Sequence, residues 1–85
     1  MQLIYADFNN QDEAHHIRLN LRKSCEGLGL LGDRLQEGMV AWLADEEGRV
    51  QATLHHRAGI WVGVPDWDTW EETPFEITAG TSAKP

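Results

Sequence analysis

The chain has 85 residues, with 14 acidic and 7 basic side chains and a formal net charge of −7. A chain of this length builds one domain with a thin core, because small domains bury a smaller share of their surface on folding. No apolar run approaches the ~20 residues that cross a bilayer, no secretion signal is visible at the start, and a lone cysteine, Cys25, cannot form an internal disulfide. We therefore expect a cytoplasmic protein without membrane contact.

Five segments have the patterning of β-strands. Strict alternation of apolar and polar side chains is typical of a half-buried strand, and it is clearest where Ile17, Leu19 and Leu21 face one side. Short turn sequences separate the last three segments, which predicts that they pair as a meander. The predicted strands are residues 2–8, 15–22, 39–45, 49–57 and 60–65.

The remaining segments favour irregular structure. Glycines at positions 27, 29, 32 and 38 interrupt residues 23–38. Because glycine is unfavourable inside a helix, we predict an irregular loop with a single helical turn there, folded over one end of a barrel. Residues 66–70 (DWDTW) predict a turn or short 3₁₀ segment. Phe75 and Ile77 predict a short edge strand. Residues 78–85 are poor in apolar side chains, which predicts a flexible C-terminal tail.

This set of elements predicts the fold class. Five short strands with tight turns and little helix indicate a mainly β protein, a small five-stranded SH3-like barrel that forms one domain over residues 1–77. Closure of a barrel removes the exposed strand edges of an open sheet. An OB-like barrel is the alternative.

Several short motifs resemble the pattern of a group of small uncharacterised bacterial proteins. They are residues 6–10 (ADFNN), 17–20 (IRLN), 35–39 (LQEGM), 61–62 (WV) and 66–68 (DWD). The resemblance covers most of the chain and implies a compact SH3-like barrel. It implies no activity, so it carries over no functional residue.

Four tryptophans are the most informative feature of the sequence. If residues 39, 41 and 43 and residues 60, 62 and 64 point into the barrel, then Trp42 and Trp61 point outward. Trp67 and Trp70 follow, interleaved with carboxylates. Aromatic faces ringed by carboxylates suit a basic or methylated cation, or a proline-rich peptide with basic flanks. The other interpretation is that the rings form a second small core. The candidate partner-binding residues are Trp42, Trp61, Trp67, Trp70, Asp66 and Asp68.

Charge is unevenly placed along the chain. Residues 15–23 hold three basic side chains and two histidines without an acid, whereas residues 66–76 hold five acids without a base. The two segments either neutralise each other on neighbouring strands or face water. The overall excess of acid disfavours a general nucleic-acid binder, because such binding depends on Lys and Arg. It favours a basic protein as the partner.

These observations favour a small non-catalytic protein-binding module with an acidic, tryptophan-rich surface, in which Trp61→Ala abolishes partner capture and leaves the fold intact. The first alternative is an acidic inhibitor or nucleic-acid mimic, of phage or mobile-element type, that blocks a basic site. The second is a nucleic-acid-binding small barrel that uses a basic strand with Arg18, Arg22 and Lys23 beside an aromatic platform. An enzyme is not expected, because no acid, base and nucleophile converge in the sequence.

Two histidine pairs raise the question of a metal site. His15-His16 and His55-His56 are adjacent residues, and neighbours on a strand face opposite sides, so each pair offers one ligand to a face. The sequence has no H-x-x-x-H, H-E-x-x-H or paired-cysteine motif, which are the usual ligand spacings. We therefore predict neither a metal nor a cofactor.

Overall fold

The computed structural model describes residues 1–72. Over this range the strands form a single sheet in the order β1-β3-β4-β5-β2, curled into a half-barrel. β1 pairs with β3 in parallel, and the other pairs are antiparallel. The predicted small, mainly β fold with five strands is confirmed. The elements are β1 (Leu3–Tyr5), β2 (Ile17–Arg18), α1 (Arg22–Leu31) with a 3₁₀ turn (Gly32–Arg34), β3 (Val40–Ala44), β4 (Gly48–Arg57) and β5 (Ile60–Glu72).

The predicted meander of the last three strands is confirmed. Ala58 and Gly59 join β4 to β5 with φ angles of 51° and 86°. Two successive residues at positive φ are typical of the type I′ turn, whose twist matches that of a hairpin. At the β3–β4 turn, Asp45 Oδ1 accepts the N–H groups of Glu47 at 2.7 Å and Gly48 at 3.1 Å. Local turn chemistry therefore sets the register of the meander.

Helix α1 and one face of the sheet, called the inner face below, enclose the core. The buried positions of α1 are Ser24, Gly27, Leu28 and Leu31, a spacing that gives one helical face. Ser24 Oγ donates a hydrogen bond of 2.6 Å to the carbonyl oxygen of Tyr5, which ties the helix to β1. The sheet and its flanking loops contribute Ile4, Ala6, Ile17, Leu19, Ala41, Leu43, Val50, Ala52 and Leu54.

The prediction of an irregular loop with one helical turn over residues 23–38 is wrong in part, because α1 is a ten-residue helix. Its glycines disfavour a helix locally, but most helical stability in proteins comes from burying an apolar face. A Cβ placed on Gly27 would lie 3.4 Å from the Ile4 side chain, so the helix packs closely on β1 at this point. Tertiary packing overrides the local preference.

The first two strands are shorter than predicted. β1 covers Leu3–Tyr5, and β2 covers only Ile17–Arg18. Residues before β2 form a tight loop, in which Asp12 Oδ1 accepts the N–H groups of Ala14 and His16 at 2.9 Å. After β2, residue 21 already precedes the helix and is 36% exposed. The predicted alternation therefore holds for Ile17 and Leu19, which are buried, and fails at Leu21.

Strand β5 is longer than predicted and irregular. The expected turn at residues 66–70 lies within β5, where residues 67–70 stand opposite the single residue Val50. Such an insertion of several residues is a special, enlarged form of β-bulge. Among residues 1–72, no helix is long and apolar enough to cross a membrane. The predicted edge strand at Phe75 and Ile77 and the predicted tail over residues 78–85 lie outside the described residues.

Proline limits the pairing between β2 and β5. The N–H of Leu19 donates to the carbonyl oxygen of Trp61 at 2.8 Å, and Ile17 pairs with Gly63. Alternate residues of a strand direct their N–H groups to the same neighbouring strand. Position 65, two residues after Gly63, is therefore the next in β5 whose N–H would point toward β2. Pro65 has no N–H group. The edge of β5 beyond Gly63 therefore lacks a donor at its first free position.

Candidate functional site

Three aromatic rings cluster where the bulge of β5 meets the loop after β1. The ring centroid of Phe8 lies 5.8 Å from that of Trp67 and 5.6 Å from that of Trp70, and the two indoles are 6.1 Å apart. Phe8 also packs against the core. Trp67 is 50% exposed and Trp70 is 37% exposed. The cluster is thus anchored on its inner side and open on its outer side.

Side-chain hydrogen bonds fix the backbone of the bulge. Thr69 Oγ1 donates to the carbonyl oxygen of Asp66 at 2.7 Å and accepts the N–H of Gln51 at 2.8 Å. Asp66 Oδ1 accepts the N–H of Asp68 at 3.2 Å. These bonds replace part of the interrupted strand ladder. The indole of Trp67, between Asp66 and Asp68, is therefore held on an ordered backbone.

Gly48 provides the space that Trp70 occupies. A Cβ on Gly48 would lie 2.5 Å from Cζ2 of the Trp70 ring and 2.5 Å from the carbonyl oxygen of Glu71. Both distances are shorter than a Cβ contact allows, so the indole lies directly against the glycine backbone. Gly48 also ends the β3–β4 turn, but its contact with Trp70 depends on a residue that follows much later in the chain.

Carboxylates surround this end of the sheet. β5 contributes Asp66, Asp68, Glu71 and Glu72, all exposed. The β3–β4 turn, with Asp45, Glu46 and Glu47, lies alongside, because Gly48 pairs with Glu72. Within residues 1–72, the only ion pair among these seven carboxylates joins Glu71 to Arg49, at 2.8 Å. The remaining six concentrate negative charge beside the exposed indoles.

Trp42 faces outward, as predicted, but it lies on another part of the surface. It alternates with the buried residues Ala41 and Leu43, and the Arg49 guanidinium lies over its ring at 4.1 Å from the centroid. Arg49 Nε and Nη2 donate to Glu71 Oε1 at 3.0 and 2.8 Å. Trp42, Arg49 and Glu71 thus form a cation–π and ion-pair stack on the outer face of the sheet. This stack does not include Trp67 or Trp70.

The prediction that Trp61 points outward is wrong. Gly63 pairs with Leu54, and directly opposite residues of antiparallel strands share a face. Leu54 is a core residue, so Gly63 and Trp61, two positions apart, lie on the inner face. Trp61 packs against the core and contacts the His56 ring at a centroid distance of 5.2 Å. A Cβ on Gly63 would lie 2.6 Å from Leu43 Cδ1, which explains a glycine at this inner position.

The basic and acidic segments do not neutralise each other across neighbouring strands. β2 pairs with Val62 and Gly63, before the acidic stretch begins. No ion pair joins residues 15–23 to residues 66–72 in the part of the chain that the structure describes. The predicted basic strand is also wrong, because Arg22 and Lys23 belong to α1 and only Arg18 to β2.

A charged cluster that the sequence analysis missed joins the loop before β3 to the end of β4. Glu37 accepts the backbone N–H of His56 at 2.8 Å, lies 2.5 Å from His55 Nδ1 and accepts a bond from Arg57 at 3.2 Å. The His56 N–H, followed by the His55 bond, lowers the pKa of Glu37 from 4.5 to about 2. Eighteen residues separate Glu37 from His55, and no local pattern indicates this contact. The described residues contain no group of three His, Cys, Asp or Glu that could hold a metal ion.

No protein-family model, curated protein or solved structure matches the chain. The resemblance to small bacterial proteins therefore stays a prediction. Of the six candidate residues, Trp67 and Trp70 contact Phe8, and Asp66 and Asp68 flank Trp67 in the chain. We call these five residues the β5 acidic–aromatic surface.

Proposed function

We propose that this chain is a small non-catalytic protein-binding module that works in the cytoplasm and recognises a basic segment of another protein. The observation that carries the proposal is the β5 acidic–aromatic surface. There, a tryptophan that is 50% exposed lies between two aspartates in the chain, on an ordered bulge. Cys25 is free, which fits a reducing compartment.

The exposed indoles supply the binding energy in this proposal. Tryptophan is enriched among the few interface residues that dominate affinity, because it buries a large, rigid area. Trp67 and Trp70 lose little side-chain freedom on binding, since Phe8 contacts both rings. Preorganised contacts cost less entropy when a partner arrives. A partner that covers these rings would bury apolar area now open to water.

The carboxylates supply selectivity in this proposal. A concentration of one charge sign attracts the opposite sign, speeds association and repels acidic competitors. Glu71 already has a cationic partner in Arg49, whereas Asp66 and Asp68 have none within residues 1–72. Those two side chains are therefore available to a basic partner.

Capture of partners by the tagged chain, with and without nuclease, tests the proposal. We expect Trp67→Ala to reduce capture of a basic protein at least about tenfold. Leu30→Ala is the matched control, because Leu30 is apolar and 73% exposed but lies on α1. Both variants should keep the circular dichroism spectrum and melting temperature of the parent.

Three results would contradict the proposal. Equal capture by the parent and Trp67→Ala would remove the aromatic cluster from the site. Nuclease-sensitive capture would favour the nucleic-acid alternative. A partner whose binding depends on all the carboxylates but not on Trp67, and falls steeply with salt, would favour the acidic mimic.

A further inference from the structure

We infer that the β5 acidic–aromatic surface binds an arginine side chain, with the guanidinium flat on the exposed face of the Trp67 indole and paired to the carboxylates of Asp66 and Asp68. This inference rests on the proposed function and names the chemistry of its partner. Of the two cations that the sequence allowed, basic or methylated, it selects the basic one.

The packing of the rings argues against a methylated ammonium. An aromatic cage surrounds such a cation with ring faces on several sides. Here Phe8, Trp67 and Trp70 meet edge to face or tilted, with centroids 5.6–6.1 Å apart and interplanar angles of 49–75°. Rings at these separations are in contact with one another, so they enclose no space for a cation. A ligand therefore meets the open outer side of the cluster, which suits a planar group.

The chain contains one example of this recognition already. Arg49 lies over the Trp42 ring at 4.1 Å and donates two hydrogen bonds to Glu71. A guanidinium stacks on an aromatic face and pairs with a carboxylate at the same time, which a compact ammonium does less well. Within residues 1–72, Trp67 has the same two components, an indole and carboxylates next to it in the chain, and no cation lies over its ring. An arginine of the partner would stack on Trp67 as Arg49 stacks on Trp42.

The edge of β5 argues against recognition by strand addition. An added strand needs regular backbone donors and acceptors along a free edge. Pro65 removes a donor directly after the β2 pairing ends, and the bulge at residues 67–70 then breaks the strand geometry. Both devices protect edges from pairing. The surface therefore recognises side chains, and the partner segment needs no β conformation.

Fluorescence anisotropy with four matched peptides tests the inference. Each is a short labelled glycine-serine peptide that carries arginine, lysine, trimethyl-lysine or the neutral analogue citrulline at the same positions. We expect the arginine peptide to bind at least about tenfold more tightly than the other three. Trp67→Ala and the double variant Asp66→Asn/Asp68→Asn should each weaken it by a similar factor, and Leu30→Ala should not. The Asn variant keeps the hydrogen-bond acceptor of position 66, so it tests charge without removing the bulge contact.

Each other outcome overturns a defined statement. Lysine or trimethyl-lysine binding as tightly as arginine overturns the arginine inference and leaves the proposed function standing. If the uncharged citrulline peptide binds as tightly as the arginine peptide, the proposed role of the carboxylates is overturned. Failure of all four peptides, with Trp67-dependent capture of a basic protein retained, also overturns the arginine inference. Failure of the peptides together with loss of that capture overturns the proposed function.

Discussion

Replacing Gly48 with alanine tests the packing on which the aromatic cluster depends. The added Cβ would lie 2.5 Å from the Glu71 carbonyl oxygen and 2.5 Å from the Trp70 ring. The oxygen belongs to the backbone of β5, so no side-chain rotation relieves that contact. The indole is itself packed against Phe8. The strand end or the ring must therefore move.

Two opposing effects set the size of the change. Overpacking by a single group costs about 1–3 kcal/mol. Replacing glycine also restricts the unfolded chain, which stabilises the native state by about 0.4–1 kcal/mol where the backbone conformation suits alanine. Gly48 is not among the glycines with positive φ, so this gain applies. The difference is a net loss of roughly 0–2.6 kcal/mol. The 2.5 Å contact with the backbone favours the upper half, about 1.3–2.6 kcal/mol in the free energy of unfolding, or a melting temperature lower by roughly 5–21 °C.

Urea unfolding monitored by tryptophan fluorescence measures this loss, and Gly29→Ala is its control. Gly29 lies inside α1, and a Cβ there would meet nothing within 4 Å. Alanine at an open helical position should raise stability by about 0.5–1 kcal/mol. The two substitutions thus have opposite expected signs. A Gly48→Ala variant as stable as the parent, with unchanged emission, would refute the described contact between Trp70 and the β4 backbone.

Three further predictions follow from buried or paired groups. Trp61→Ala should lower the free energy of unfolding by about 2 kcal/mol, less than the ~3–5 kcal/mol lost when a fully buried aromatic ring is removed. An unchanged urea midpoint would instead support an outward orientation of Trp61. Ser24→Ala should cost about 1–2 kcal/mol in thermal unfolding, because the Tyr5 carbonyl loses its 2.6 Å bond, and a neutral result would contradict that contact. The folded-state pKa of Glu37 is depressed from 4.5 to about 2, so its stabilisation is complete above pH 4.5 and is lost as the pH falls toward 2. Glu37→Gln should therefore reduce stability at neutral pH and flatten its decline in that window, and parallel pH profiles for the two proteins would be inconsistent with the cluster.

The meander could be predicted from the sequence because its determinants are local. Alternation places Val50, Ala52 and Leu54 on one side, and Ala58-Gly59 marks the turn. The helix could not be predicted in the same way. Its glycines disfavour helical structure locally, and the helix is stabilised by its contact with Ile4 of β1. That contact exists only after the chain has folded.

The orientation of β5 could not be read from the sequence because both of its faces are covered near β2. Val62 is 1% exposed although it lies on the face opposite Trp61. In a strand with apolar residues at nearly every position, either set of alternating residues can face the core. The set with more aliphatic residues was predicted to face inward, and the structure shows the opposite. The deciding feature is Gly63, which must face Leu43 because a side chain would not fit. The acidic composition of the site, in contrast, was evident directly.

The strand order has a consequence for how the protein folds. β3, β4 and β5 pair with their neighbours in sequence, whereas β1 must pair with a strand that begins at Val40 and β2 with one that begins at Ile60. Contacts between distant parts of a chain form later than local ones, since they close longer loops. During synthesis, β1, β2 and the apolar face of α1 emerge before any strand that can cover them. We expect the meander to form the folding nucleus, with the amino-terminal third docking onto it last and exchanging its amide hydrogens first.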